Sequence, residues 1–262
     1  MRLLGADEPP AFQEFRAGGR SEFLIVADHA GALIPRSLGN LGLPDEELRR
    51  HIAWDIGALG VARGAARILE ATLVSQTYSR LVIDCNRDPA VASSIPQISE
   101  LREIPGNIGL SAAQIAARRV EIFDPYHGRI RQLIDAKVAA GERVFLVAQH
   151  TMTDVYKGVR RGMHAAVLYN RDRRFAGLVL EMLRRDPDLV VADNEPYFVS
   201  DATDYTIPHH GEARLLPHVE IEIRQDLVSD DKGQSEWAAR IAQALADAKV
   251  QFDRSGHQDP SP

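Results

Sequence analysis

A single cysteine, Cys85, leaves no partner for an internal disulfide, and a reducing compartment is the expectation that follows. No apolar run is long enough to cross a bilayer, and the N-terminus lacks a charged-then-apolar leader pattern. No cluster of lysines and arginines stands out, and a formal net charge of -6 argues against a nucleic-acid surface. Internal repeats, inter-domain linkers and low-complexity tracts are lacking as well. These absences point to a soluble, cytoplasmic protein that works without nucleic acid or membrane. The chain's 262 residues, 45% hydrophobic and 26% charged, suit one domain over 1–262, with residues 1–20 as a polar lead-in arm and about 251–262 as a loose tail.

What is present is organised around His218-Val219-Glu220-Ile221-Glu222-Ile223-Arg224. At a period of two, Val219, Ile221 and Ile223 share one face of a strand, and His218, Glu220, Glu222 and Arg224 share the other. An edge strand facing water also alternates, but seldom with only ionisable groups on its outer face. Elsewhere Phe23–Ala27, Thr72–Ser75, Arg80–Cys85, Arg143–Ala148, Ala165–Tyr169 and Leu189–Ala192 read as strands. Helices are expected from Asp45 to about Glu70, from Ser111 toward Ala140, from Arg174 to Arg185 and from Ser235 to Lys249. Residues 88–110 and 193–217 are long loops, of the kind that usually carries function. Strands alternating with helices predict an α/β three-layer sandwich around a mostly parallel mixed sheet. Ligand sites in such sheets lie beyond the strands' C-terminal ends, where His29, Asn86-Arg87, His150 and Arg224 all fall.

Nine histidines are a little more than expected, and several sit beside carboxylates. His29 and His150 each close an apolar strand. Zinc chemistry needs neutral imidazoles, a carboxylate and one coordination position left for water. Asp55 is the chosen third ligand, four residues after His51 and on the same face if the stretch is helical. Each of these residues alone is more often structural than a ligand.

Asp28-His29-Ala30 with Pro35, His51 to Ala58, Tyr78 to Arg87 and His218 to Asp226 together resemble the N-formylglutamate amidohydrolase family. Ile104-Pro105-Gly106-Asn107, Leu168 to Asp172 and Asp193 to Tyr197 match as well, so the likeness runs in order from about residue 20 to 245. The resemblance implies a zinc-dependent hydrolase that releases formate from N-formyl-L-glutamate, a step of histidine breakdown. The family is in turn similar to zinc carboxypeptidases, aspartoacylases and zinc muramoyl-alanine amidases, which implies a carboxypeptidase-like (phosphorylase/hydrolase-like) fold. Asp84-Cys85-Asn86-Arg87 is similar to their Asp-x-Asn-Arg stretch, His150-Thr151 to their last zinc ligand, and Ile221 to Arg224 to the stretch bearing the catalytic glutamate. The departure is at the first ligand: carboxypeptidases have His-x-x-Glu where this chain has His29-Ala30-Gly31-Ala32.

The roles implied are one zinc, or another divalent ion, on His29, Asp55 and His150, with Glu222 as general base and Glu220 as its rival. Arg224 or His210 would stabilise the oxyanion. Two substrate carboxylates call for two cationic groups. Asn86 and Arg87 are the pair for one, and Arg80, Arg160 or Arg161 the candidates for the other. His51 would orient Asp55 or another ligand, His210-Gly211-Glu212 would belong to a loop that closes over substrate, Tyr205 and Thr206 would reach substrate, and Cys85 would be buried packing. Two other readings stand beside this one: a deacylase or carboxypeptidase-like hydrolase of another N-acyl amino acid, and a non-catalytic metabolite-binding protein. The expected partner in the enzyme readings is a small N-acyl amino acid; the oligomeric state is left open.

Overall fold

A computed structural model describes residues 2–16 and 18–256. The apolar runs become seven strands of one mixed sheet: β1 (Phe12–Phe15), β2 (Phe23–Ala27), β3 (Thr72–Gln76), β4 (Phe145–Met152), β5 (Ala165–Leu168), β6 (Val191–Asp193) and β7 (His218–Arg224). They lie in the order β1-β3-β2-β4-β7-β5-β6. The central four, β3, β2, β4 and β7, are mutually parallel, whereas β1 and β5 run antiparallel to their neighbours β3 and β7. Four strand C-termini therefore open on the same side.

The helices are α1 (Asp45–Leu48), α2 (Ala58–Ile68), α3 (Ala112–Arg118), α4 (Asp124–Ala139), α5 (Arg174–Leu183) and α6 (Asp231–Arg254). On one face of the sheet α2, α5 and α6 bury Ile25, Val147, Val219, Ile221 and Ile223. On the other, Tyr126, Ile130 and Ile134 of α4 close over Leu24, Val26, Leu146 and Ala148. The result is the expected α/β three-layer sandwich. The strand register then positions the chemistry. On the α4 face Glu220 stands opposite Ala148 and Glu222 opposite His150. Among the described residues no helix is long and apolar enough to cross a membrane.

Several elements differ from expectation. The lead-in arm is tied down: β1 pairs with β3, Glu14 is held by Arg129, and Leu3 and Ala11 are buried. The stretch from Arg80 to Cys85 is a series of turns, not a strand, because distant side chains satisfy its backbone. Asn107 donates to the Leu81 carbonyl and Arg118 to the Val82 carbonyl. Asn86-Arg87 consequently follows turns rather than a strand end. The helix expected from Asp45 to Glu70 is broken between α1 and α2, where Gly57 takes φ of 82° and an added Cβ would lie 2.2 Å from the Val228 carbonyl oxygen. At the far end α6 runs on to Arg254 with Phe252 buried, so the tail begins later than about residue 251; residues 257–262 lie outside the described ones.

Candidate metal centre

The loop after β2, the turn before α2 and the C-terminal half of β4 meet at the C-terminal side of the sheet. His29 follows β2 by two residues. Its Nε2 lies 2.6 Å from Asp84 Oδ1, which as a carboxylate can only accept, so the ring proton is placed on Nε2 and Nδ1 is free. That Nδ1 faces Asp55 Oδ2 at 3.7 Å, and His150 Nδ1 faces the same oxygen at 3.0 Å. Asp55 is positioned by its backbone: its N–H donates to the His29 carbonyl, and the Ala53 carbonyl accepts from the Ser79 hydroxyl and the Arg80 N–H. Those bonds hold the segment in a turn, so Asp55 reaches His29 and His150 by tertiary contact and not from a helical face shared with His51. His51 is directed to Glu100 instead, 3.7 Å away, and does not orient Asp55.

All three side chains are buried, and one donor atom of each lies within 4.8 Å of the others. Two further carboxylates stand behind the histidines. Asp84 accepts from His29, Arg80 and its own loop. Asp28 stands 3.3 Å from His150 Nε2, at ion-pair range but off the hydrogen-bond line, while its other oxygen accepts from Tyr126 and Thr206 hydroxyls. The carboxylate bonded to His29 fixes that ring's tautomer and raises the basicity of its facing nitrogen, while the Asp28 charge acts on His150 through space. Asp28, Asp55, Asp84, Glu220 and Glu222 are all buried here, with Arg80 bridging Asp55 and Asp84. This donor set of two imidazoles and a carboxylate, in surroundings rich in negative charge, fits a divalent cation.

The electrostatics agree. Burial alone would raise Asp55, but His29 and His150 outweigh it and hold the carboxyl low. Burial would likewise lower His150, yet Glu220, Asp28 and Asp55 lift it well above the usual imidazole value. Burial, opposed by His150 and reinforced by Asp55, pushes Glu222 up to about 7; burial, opposed by His150 and reinforced by Asp204 and Glu222, pushes Glu220 up to about 8. One oxygen of each glutamate has no hydrogen-bond partner.

His29, Asp55, Asp84, His150, Glu220 and Glu222 line a cavity of about 500 Å³ together with Arg80, Asn86 and Arg87. Asn86 spends its carbonyl oxygen on the Tyr205 and Thr206 N–H groups and its amide on Asp204, so it anchors the loop over the site. Arg87 donates to Asp204 as well and remains partly exposed. Four expected site residues are not on the cavity wall. Arg224 pairs with Asp226 and donates to the carbonyls of Arg161 and Met163, which turns it away from an oxyanion role. His210 contacts His127, 2.9 Å from ring nitrogen to ring nitrogen, and burial and His127 keep it neutral. Arg161 donates to the Thr153 carbonyl and the Tyr197 hydroxyl, and Arg160 is exposed on a hairpin. Cys85 is buried with its thiol raised by burial, consistent with packing. The residues the sequence reading missed are Asp28 and Asp84 as orienting groups. Adjacency to His29 was the only signal for the first, and the second was read as part of a substrate-binding stretch.

Replacing Asp28 by Asn removes the charge behind His150 while keeping the shape. We expect metal affinity to fall about 10- to 100-fold, by titration against a competing chelator, with the fold intact. Unchanged affinity would show that Asp28 serves Tyr126 and Thr206 alone.

A family model described as N-formylglutamate amidohydrolase matches residues 21–229. Among solved structures, the gene product Atu2144 from Agrobacterium tumefaciens is 36% identical, with 96% of this chain and 100% of that one covered and a TM-score of 0.93. An N-formylglutamate amidohydrolase from Ralstonia eutropha JMP134 is 19% identical, with 94% and 100% covered and a TM-score of 0.69, a likeness of fold. No curated protein matches significantly.

Proposed function

The chain belongs to the N-formylglutamate amidohydrolase family, and from that membership we propose that it is a cytoplasmic, single-domain, metal-dependent amidohydrolase of N-acyl amino acids. N-formyl-L-glutamate, giving formate and L-glutamate in histidine breakdown, is the reference substrate that the family supplies. The observation that carries the reading is the register of β7 on β4, which sets Glu222 beside His150 with a carboxyl oxygen unpartnered. His29, Asp55 and His150 would hold the ion, zinc by the donor set. When bound, it supplies Lewis acidity, polarising the acyl oxygen and acidifying a nearby water.

The chain's own groups do the rest. Glu222 takes a proton from the attacking water, whose oxygen joins the acyl carbon. It then returns that proton to the departing nitrogen as the C–N bond breaks, so one water is consumed and an acid and an amine are released. Burial suits this role, because a carboxyl lifted toward neutrality both accepts and donates near pH 7. Arg80 braces Asp55 and Asp84 and contributes positive charge close to Glu222. Arg87, on the wall and partly open, is placed to grip the substrate's α-carboxylate.

Formate release from N-formyl amino acids, abolished by a chelator and restored by a divalent ion, tests the proposal. Metal-loaded protein with no such activity would favour the metabolite-binding alternative. Arg87→Ala is expected to raise KM about 10- to 100-fold with little change in metal content, since it removes one partner of a charge-assisted bond. Loss of metal instead would make Arg87 structural.

A further inference from the structure

Arg161 is only 7% exposed, and among the described residues no carboxylate lies within ion-pair range of it. Its side chain bonds to neutral groups alone: Nη1 donates to the Thr153 carbonyl and Nη2 to the Tyr197 hydroxyl. The rings of Tyr156 and Tyr197 flank it, with its guanidinium carbon 5.3 and 4.8 Å from their centroids. A buried cation without a counter-charge is costly to keep. What that charge does to the one side chain it bonds is therefore the question.

Tyr197 lines the cavity of the metal centre, as Glu222 does. A phenol oxygen that accepts from a guanidinium still has its own proton to give, and the positive charge makes that proton a stronger donor. Among the described residues no group accepts it. Burial raises the phenol, Arg161 opposes the rise and the Glu222 charge adds to it, so the hydroxyl keeps its proton near pH 7 and lies within electrostatic reach of Glu222. Other donors on the wall are engaged. Arg80 uses one terminal nitrogen on Asp55 and the other on Asp84. The hydroxyls of Thr151 and Thr153 give their protons to the Ile56 and Val155 carbonyls, and the Asn86 amide donates to Asp204.

Attack of water on an acyl carbon places negative charge on the acyl oxygen, and a donor aimed there in advance is worth more in the transition state than in the ground state. We propose that Tyr197 is a catalytic residue that donates a hydrogen bond to the acyl oxygen as this charge develops, with Arg161 behind it as a positioning residue that acts through the phenol. The assignment rests on the amidohydrolase reading above and fills the oxyanion role that Arg224 and His210 do not reach. The phenol keeps its proton throughout. The bonds that change are those of the water and of the C–N link.

Tyr197→Phe removes the hydroxyl and keeps the ring, at a position 40% exposed. In formate release from N-formyl-L-glutamate by the metal-loaded full chain, it is expected to lose about 10²- to 10³-fold in kcat, the range one oxyanion donor contributes, with KM changed by less than about threefold and metal content unchanged. Binding of N-formyl-L-glutamate to the metal-loaded Glu222→Gln form, measured by calorimetry, should be unaltered when Tyr197→Phe is added. Arg161→Lys keeps the charge but loses the planar fork; it should cost about tenfold in kcat alone and almost nothing on top of Tyr197→Phe. Wild-type turnover in Tyr197→Phe, loss of its metal, or a rise in KM or weaker binding with kcat unchanged would each overturn the assignment of Tyr197 and leave the amidohydrolase reading in place. An equal cost of Arg161→Lys in both backgrounds overturns the part given to Arg161. A metal-loaded wild-type chain that releases formate from no N-formyl amino acid overturns the amidohydrolase reading and this inference with it.

Discussion

Glu222→Gln is expected to keep its metal and lose about 10²- to 10⁴-fold in kcat, the range a positioned general base contributes. The amide preserves the volume of the carboxyl and its place on β7, between Ile221 and Ile223 in the core, so the fold should be unaffected. It cannot accept a proton from water. The matched control is Glu220→Gln, two residues back on the same face and opposite Ala148 rather than His150. Glu222 stands opposite His150 in the register and Glu220 does not, so replacing Glu220 should cost much less. A reversed pattern, with Glu222→Gln near wild type and Glu220→Gln inactive, would move the base to Glu220. Loss of metal from Glu222→Gln would make that residue a ligand. Metal content and kcat measured on the same samples separate the three outcomes.

The sequence displayed those parts of the molecule that depend on local pattern. Alternation in β7 disclosed both its core face and its row of ionisable groups, since a strand's side chains must alternate whatever surrounds them. The apolar runs of β2 and β4 likewise led to His29 and His150, because an apolar strand in a parallel sheet ends at the ligand side. Asp55 was reached by a helical-face argument that the structure does not support; its position comes from backbone bonds to His29 and to Ser79–Arg80. The turns of 80–85 were hidden for the same reason. Asn107 and Arg118, 26 and 36 residues from the carbonyls they serve, replace the ladder a strand would need. Residue type misled for Arg161, Arg224 and His210. Charge and an imidazole suggested site chemistry, whereas Tyr197, Asp226 and His127 claim those groups. The clustering of Asp28 and Asp84 behind the histidines is entirely a long-range property.

Removing the ion should have the largest effect of all, on activity and on stability together. Stripping with a chelator is expected to abolish formate release and to lower the melting temperature, both reversed by adding back a divalent ion. The sign follows from the charges. Asp28, Asp55, Asp84, Glu220 and Glu222 share one buried region with Arg80, so a cation held there relieves repulsion that the folded chain otherwise bears. An ion present at a thousandfold excess over its Kd stabilises by about 4 kcal/mol, which for a chain of this size shifts melting by on the order of 10 °C. Asp55→Asn supplies the specific control. It keeps the shape and the bond from the Thr151 N–H but gives up the charge facing both imidazoles, so most of the metal-induced shift should vanish. If wild type and Asp55→Asn gained equal stability from the ion, the ion would be binding elsewhere. Chelation that changed neither activity nor melting would remove the metal from the mechanism, and with it the reason for placing His29, Asp55 and His150 around one point.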